Sequence, residues 1–220
     1  MALTLKEKVK TIFSLISEPK VLSSLISLRA WGYLLDMGWF IAFKSGKPVD
    51  KANNPIPWFS YPANEFLFER LNNKTIVFEF GSGNSTLFFA ERVNQIISVE
   101  HNKDWYDRIS KQAPANSKII YAKADHSNEY LDVLKMTNQK FNIIIVDGIY
   151  RNECLFESVS FLSDNGVIIL DDSERPEYSE GINSILNHHF KRIDFWGISA
   201  GYLYRKSTSV FYKEKNCLGL

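Results

Sequence analysis

Glu79, Glu100, Asp125, Asp147 and Asp171 each stand at or just beyond the end of a short run of β-branched and apolar residues, and the first is followed at once by Gly81-Ser82-Gly83. Carboxylates delivered to one edge by several strands can accept hydrogen bonds from hydroxyls and amino groups, neutralise a cation, or take a proton from a reacting hydroxyl. One acid at such a place is as readily a helix cap as a ligand. Five strands in five weaken that reading. A glycine pair lets the backbone approach a ligand closely, as the strand-to-helix turn of nucleotide-binding folds does.

The details of the loop narrow the ligand. A dinucleotide loop carries a third glycine where this chain has Thr86, and a P-loop needs a lysine after its last glycine, where there is none. Pyrophosphate beside Glu79 and Asp147 is repelled unless a metal intervenes. S-adenosylmethionine has a sulfonium, an ammonium, one carboxylate and no phosphate, so acids suit it. Glu100 lies 17 residues after Gly83, near the spacing at which an acid accepts from ribose hydroxyls. Asp125 is then placed to take the adenine amino group. Ser85 and Thr86 open the following helix, where free N–H groups can hold the cofactor's carboxylate, though both are equally good caps. The candidate cofactor set is Glu79, Gly81, Ser82, Gly83, Ser85, Thr86, Glu100, His101, Asp125 and Asp147.

These residues need strands to deliver them. The runs at Thr75–Phe80, Gln95–Glu100, Lys118–Ala122, Phe141–Asp147 and Val167–Asp171 alternate with helix-suited stretches at Ser85–Arg92, Lys103–Lys111, Glu129–Met136, Asn152–Leu162 and Ser179–Phe190. Such alternation predicts an α/β fold with a parallel sheet and helices on both faces. Ile143-Ile144-Ile145-Val146 is apolar without alternation, as a strand buried on both sides should be. Two further strand-like runs, Lys191–Ile198 and Ser207–Tyr212, have no helix between them and must pair as a hairpin, giving a Rossmann-like seven-stranded mixed sheet. Residues 1–62 read as a helical N-terminal extension followed by a Pro- and Asn-rich linker or lid, and residues 63–220 as the catalytic-type domain. Pro19 stops the first helix.

The chain has 220 residues, 45% of them hydrophobic, and a formal net charge of +1 from 26 basic and 25 acidic side chains. That balance removes the electrostatic footprint of a nucleic-acid binder. Cys154 and Cys217 have no metal-type spacing, and Lys6, Glu7, Lys8 and Lys10 break up any leader-like apolar core, so a cytoplasmic protein is expected. Trp31, Trp39, Phe40 and Phe43 are types that favour a membrane interface, but packing onto the domain is the favoured expectation; membrane contact is at most peripheral.

On Val77–Thr86, Ser98–His101, Ile145–Gly148 and Leu170–Asp172 the sequence resembles the class I S-adenosylmethionine-dependent methyltransferases, over roughly Phe59 to Tyr212, with Ser85 in place of the usual third loop glycine. A lead-in Pro57–Ala63, an Asp-Gly-x-x-Arg-x-x-Cys stretch from Asp147 and the closing Asn216–Leu220 are similar to a poorly characterised bacterial group of them. The resemblance implies a methyl-transfer fold and cofactor and leaves the acceptor open. Asp147, Asp171 and Asp172 also resemble the metal-binding acids of catechol-type and antibiotic-sugar O-methyltransferases, which makes them candidate ligands for Mg²⁺. Adjacent strand residues point to opposite faces, so both aspartates can converge only if the strand ends at Asp171. The competing reading pairs Asp172 with Arg175 or makes it a cap.

Asp147-Gly148-Ile149-Tyr150 lacks the Pro-Pro-aromatic segment of base-methylating enzymes, so an oxygen acceptor on a small molecule or saccharide, with a lipid-linked one included, is expected. Asp147 and His126 are the candidates for removing its proton. Arg151, Arg175 and Tyr178 are candidate acceptor contacts, the arginines competing with salt bridges to Glu153, Glu174 or Glu177; Tyr61, with Trp58, is a candidate lid. An aminopropyl transferase of the spermidine-synthase kind and a non-catalytic cofactor binder are the alternatives, and a homo-oligomer is open.

Overall fold

The β-branched runs form one seven-stranded sheet in the computed structural model, which describes residues 4–123, 125 and 127–220, the side chains of Ser127 and Asn128 excepted. The strands are β1 (Ile76–Phe80), β2 (Gln95–Glu100), β3 (Ser117–Tyr121), β4 (Phe141–Val146), β5 (Leu162–Asp171), β6 (Lys191–Gly197) and β7 (Lys206–Tyr212). Their order is β3-β2-β1-β4-β5-β7-β6. The first five pair in parallel, and β7 lies antiparallel between β5 and β6. The order reverses between β1 and β4, which opens the crevice where ligands bind in such sheets.

Both faces of the central strands are buried, with alternate residues feeding two separate cores. Ile143 and Ile145 belong to one, Ile144 and Val146 to the other; Val167 and Ile169 divide from Ile168 and Leu170 in the same way. The second face is covered by α8 (Ser127–Met136), α9 (Arg151–Ser158) and α10 (Ser179–Asn187), through residues such as Leu134, Leu155 and Ile185. The first is covered by α6 (Asn84–Ala90) and by chain that precedes the sheet. At the sheet's edge, α7 (Lys103–Ser110) packs beside β2 and β3.

Two kinds of chain precede residue 63. Trp39 and Ala42 of α4 (Trp39–Ser45, after the short α3, Tyr33–Asp36), then Val49, Ile56 and Phe59, are core residues, continued by Tyr61 and Leu67 of α5 (Tyr61–Phe68). By contrast α1 (Leu5–Ser17) and α2 (Pro19–Ser27) bury no residue. Pro19 separates them as expected and occupies the first turn of α2, where its missing N–H costs nothing. Among the described residues no helix is long and apolar enough to cross a membrane.

Candidate active site

The turn after β1 is fixed by crowding. Gly81 has φ +100, and a Cβ there would stand 3.1 to 3.3 Å from the backbone of Asp147 and Gly148. A side chain is excluded both by the left-handed backbone and by the strand beside it. Glu79 is almost wholly buried beneath this turn. Its carboxyl accepts from the hydroxyls of Ser85, Thr86 (2.6 Å) and Ser98 (2.7 Å). Ser98 stands directly opposite it on β2. Burial pushes the Glu79 carboxyl up to about 7 despite those three donors. Thr86, also fully buried, accepts from the Gly83 N–H at 3.0 Å. Glu79 and Thr86 thus hold the loop in shape from below, and Ser98 is the member the sequence reading missed.

Glu100 ends β2 and turns back onto the loop. One of its oxygens accepts from both the N–H and the hydroxyl of Ser82 at 3.0 Å, and the other from the Asn102 N–H at 2.8 Å. Three donors leave about one of four acceptor positions open, and the Ser82 hydroxyl is the group that can rotate away. Trp105 of α7 donates through its indole N–H to the Ser82 carbonyl and lies against Gly83. These side chains border a cleft of about 90 Å³, lined by Glu79, Ser82, Glu100, His101, Asp147 and the glycines 81 and 148 among others. No lysine or arginine is among the described residues of its wall. Tyr130, whose buried hydroxyl has no hydrogen-bond partner among the described residues, stands behind Gly148, where a Cβ would come within 2.2 Å of it.

A second cleft, about 320 Å³, adjoins the first and shares Ser82, Ser85 and Asp147 with it. Trp58, Trp105, Tyr202 and Tyr204 contribute aromatic walls, and its floor is ionic. Arg151 spends its donors on that floor: Nε on the Gly148 carbonyl (2.9 Å), Nη1 on the Asp171 carbonyl (2.6 Å), and Nη2 on the Asp147 carboxylate (3.1 Å). It therefore ties the ends of β4 and β5 together, and its ionic partners are Asp147 and Asp172 rather than the nearby glutamates. Partial burial, with the Asp171 charge adding to it, pushes the Asp147 carboxyl up to about 7.

The aspartate pair ends on a lysine. β5 stops at Asp171, and Asp172 adopts a left-handed backbone with φ +53, so the two carboxylates converge as the sequence reading required. Lys206 Nζ sits between them, 2.6 Å from Asp171 and 2.8 Å from Asp172, and donates to the Trp58 carbonyl at 3.1 Å. Thr208, opposite Asp171 on β7 and on the same strand face as Lys206, donates to the other Asp171 oxygen at 2.7 Å. Asp172 also pairs with Arg175 at 2.7 Å. Burial raises the Asp171 carboxyl, offset in part by Lys206; for Asp172 burial is outweighed by the Lys206 charge and the carboxyl is lowered. The ammonium occupies the place where a divalent cation would have to sit, so this acid pair does not fit Mg²⁺. Among the described residues no group of three His, Cys, Asp or Glu could hold a metal ion.

The remaining candidates are scattered. Tyr61 is fully buried in the core, edge-on to Tyr33, and does not line the cleft, whereas Trp58 of the linker does. Tyr178 lies under the Arg151 guanidinium, 5.1 Å from centre to centre, and neither it nor Arg175 lines the cleft. Asp125 is exposed and borders neither cleft; His126 lies outside the described residues.

No family model matches the sequence, and no curated protein does. Solved structures do match. A precorrin-6y C5,15-methyltransferase from Geobacter metallireducens GS-15 aligns over 70% of this chain and 87% of its own at 15% identity, with a TM-score of 0.52. A methyltransferase-like protein from Silicibacter pomeroyi DSS-3 aligns over 73% and 89% at 17% identity, TM-score 0.53. The O-methyltransferase TomG from Streptomyces achromogenes, in complex with S-adenosylmethionine, aligns over 67% and 76% at 13% identity, TM-score 0.50. At these identities the likeness is one of architecture: the chain has the Rossmann-like fold of the methyltransferases, with seven strands and a C-terminal antiparallel hairpin.

Proposed function

We propose that this chain is an S-adenosylmethionine-dependent methyltransferase acting on an oxygen of a small-molecule or saccharide acceptor. The observation that carries the reading is the smaller cleft, where Glu79, Glu100 and Asp147 meet at a glycine turn with no lysine or arginine in the described wall. Such a wall repels a pyrophosphate and suits a sulfonium and an ammonium. When bound, the cofactor supplies an electrophilic methyl group. Glu100 accepts from its ribose hydroxyls once the Ser82 hydroxyl turns aside, and the Gly81 backbone admits it closely. Asp147 borders both clefts and would be placed to take the acceptor oxygen's proton as the methyl group leaves sulfur for that oxygen, with S-adenosylhomocysteine as the departing product. A carboxyl near pH 7 is well matched to that task, and Arg151 fixes its position.

The aromatic walls of the larger cleft offer flat faces to the apolar side of a sugar ring or to a phenol. Because Lys206 holds Asp171 and Asp172, the reaction is expected to run without a divalent cation. Release of S-adenosylhomocysteine is to be followed with a panel of sugars, phenols and amines, with Mg²⁺ and with EDTA. Turnover of at least one oxygen acceptor at equal rates in both buffers supports the proposal. Methylation of nitrogen acceptors alone, or strict dependence on added metal, overturns it.

A further inference from the structure

The first two helices present an apolar surface that nothing among the described residues covers. Leu5 is 79% exposed, Phe13 70% and Ile16 62%, and α2 adds Ile26 at 64%. Helix α1 is nonetheless well specified, since Thr4 and Glu7 form a reciprocal capping box at its start. At about 100° per residue, Leu5, Val9, Ile12, Phe13 and Ile16 fall in one arc, with Lys6 and Lys8 at its two borders and Lys10 just beyond. Lysines at the borders of an apolar arc can bury their stems and lift their ammonium groups toward phosphates above.

Charge is segregated along the chain. Residues 1–51 carry eight Lys and Arg against four Asp and Glu, whereas the remainder carries 18 against 21. The positive segment also reaches the active-site mouth. Trp39 of α4 donates through its indole to the Tyr202 carbonyl at 3.0 Å, and the Phe43 backbone lies against Gly201. Phe43 itself is 64% exposed and Leu203 likewise 64%, beside the half-exposed Tyr202 and Tyr204 that line the larger cleft. Lys44, Lys47 and Lys51 are exposed in the same stretch.

We propose that α1, α2 and the Phe43–Leu203 rim dock the protein onto an anionic lipid bilayer, so that the larger cleft opens at the headgroup layer. An apolar face bordered by lysines on an otherwise near-neutral chain matches such a surface in both hydrophobicity and charge. This surface does not depend on the chemistry of the cleft, and its test is independent of methyl transfer.

The test is flotation of the full-length chain with phosphatidylcholine vesicles, with and without phosphatidylglycerol. Binding is expected only to the mixed vesicles and should weaken with salt. The Lys6→Gln/Lys8→Gln/Lys10→Gln variant should bind about 100-fold more weakly, and Phe13→Ser/Ile16→Ser about 10-fold or more. All five positions are exposed, so thermal unfolding of both variants should match the parent. No flotation with anionic vesicles overturns the proposal, as does flotation that neither variant weakens. A lipid-free dimer that Phe13→Ser/Ile16→Ser dissociates, without flotation, overturns it in favour of a second copy of this chain.

Discussion

Replacing Lys206 by methionine keeps most of the side chain's volume and removes its charge together with its donors to Asp171 and the Trp58 carbonyl. The lysine side chain is 4% exposed, and those of Asp171 and Asp172 are 3% and 9%. Without the ammonium, two carboxylates face each other in a site that also holds Asp147. Breaking a buried ion pair in this way costs about 3–5 kcal/mol. For a chain of this size that lowers Tm by roughly 6–20 °C. The effect has a definite pH dependence. In the parent, Lys206 holds Asp172 below the ordinary carboxylate value, so this contribution is present at neutral pH and is lost as pH falls through that lowered value. In Lys206→Met both carboxyls bind protons more readily, and the deficit should be greatest at pH 8 and shrink at pH 5. Urea unfolding at the two pH values measures this directly. A deficit below about 1 kcal/mol at pH 8, or one equal at both pH values, refutes the assignment of Lys206 as the resident cation.

Two further substitutions separate positioning from chemistry. Glu79→Gln removes a carboxyl that burial displaces from 4.5 to about 7, worth about 3 kcal/mol. That stability is fully present below the unfolded value and is lost as pH rises through 7, so the glutamine variant should gain about that much on the parent between pH 4 and pH 8 in urea unfolding; no relative gain contradicts it. Asp147→Asn should lower kcat about 100-fold or more and should abolish a rise of rate through pH 7. A raised KM with kcat intact would assign Asp147 to acceptor binding instead.

The parts of the site that are local in sequence were legible there. The glycine turn, Glu79 and Glu100 follow from residues within one strand–helix–strand unit, and the two-sided burial of β4 follows from its unbroken apolar run. Even the requirement that β5 end at Asp171 could be stated in advance. What could not be read was the cation that fills the aspartate pair, because Lys206 lies 35 residues from Asp171 and arrives only when β7 pairs beside β5. Its signal is weak: a lysine at the mouth of a strand whose next residues are small and polar. Ser98 is similar, a lone hydroxyl in an apolar strand that has meaning only in register with Glu79. Tyr61 was misjudged because the linker's end becomes α5, which turns its ring into the core. For the arginines the sequence leaves acceptor contact and salt bridges to nearby glutamates both open, whereas Arg151 is engaged with two carbonyls and the Asp147 carboxylate at the strand ends.

The central claim is that an acid-lined cleft beside Gly81 holds S-adenosylmethionine through Glu100. Calorimetric titration of S-adenosylmethionine and NAD into the parent and into Glu100→Ala tests it most directly. Loss of hydrogen bonds to a charged acceptor amounts to about 1.5–3 kcal/mol, so the variant should bind S-adenosylmethionine about 10- to 150-fold more weakly, and NAD should bind neither protein. Unchanged affinity in Glu100→Ala, or a parent that binds NAD and not S-adenosylmethionine, would contradict the claim.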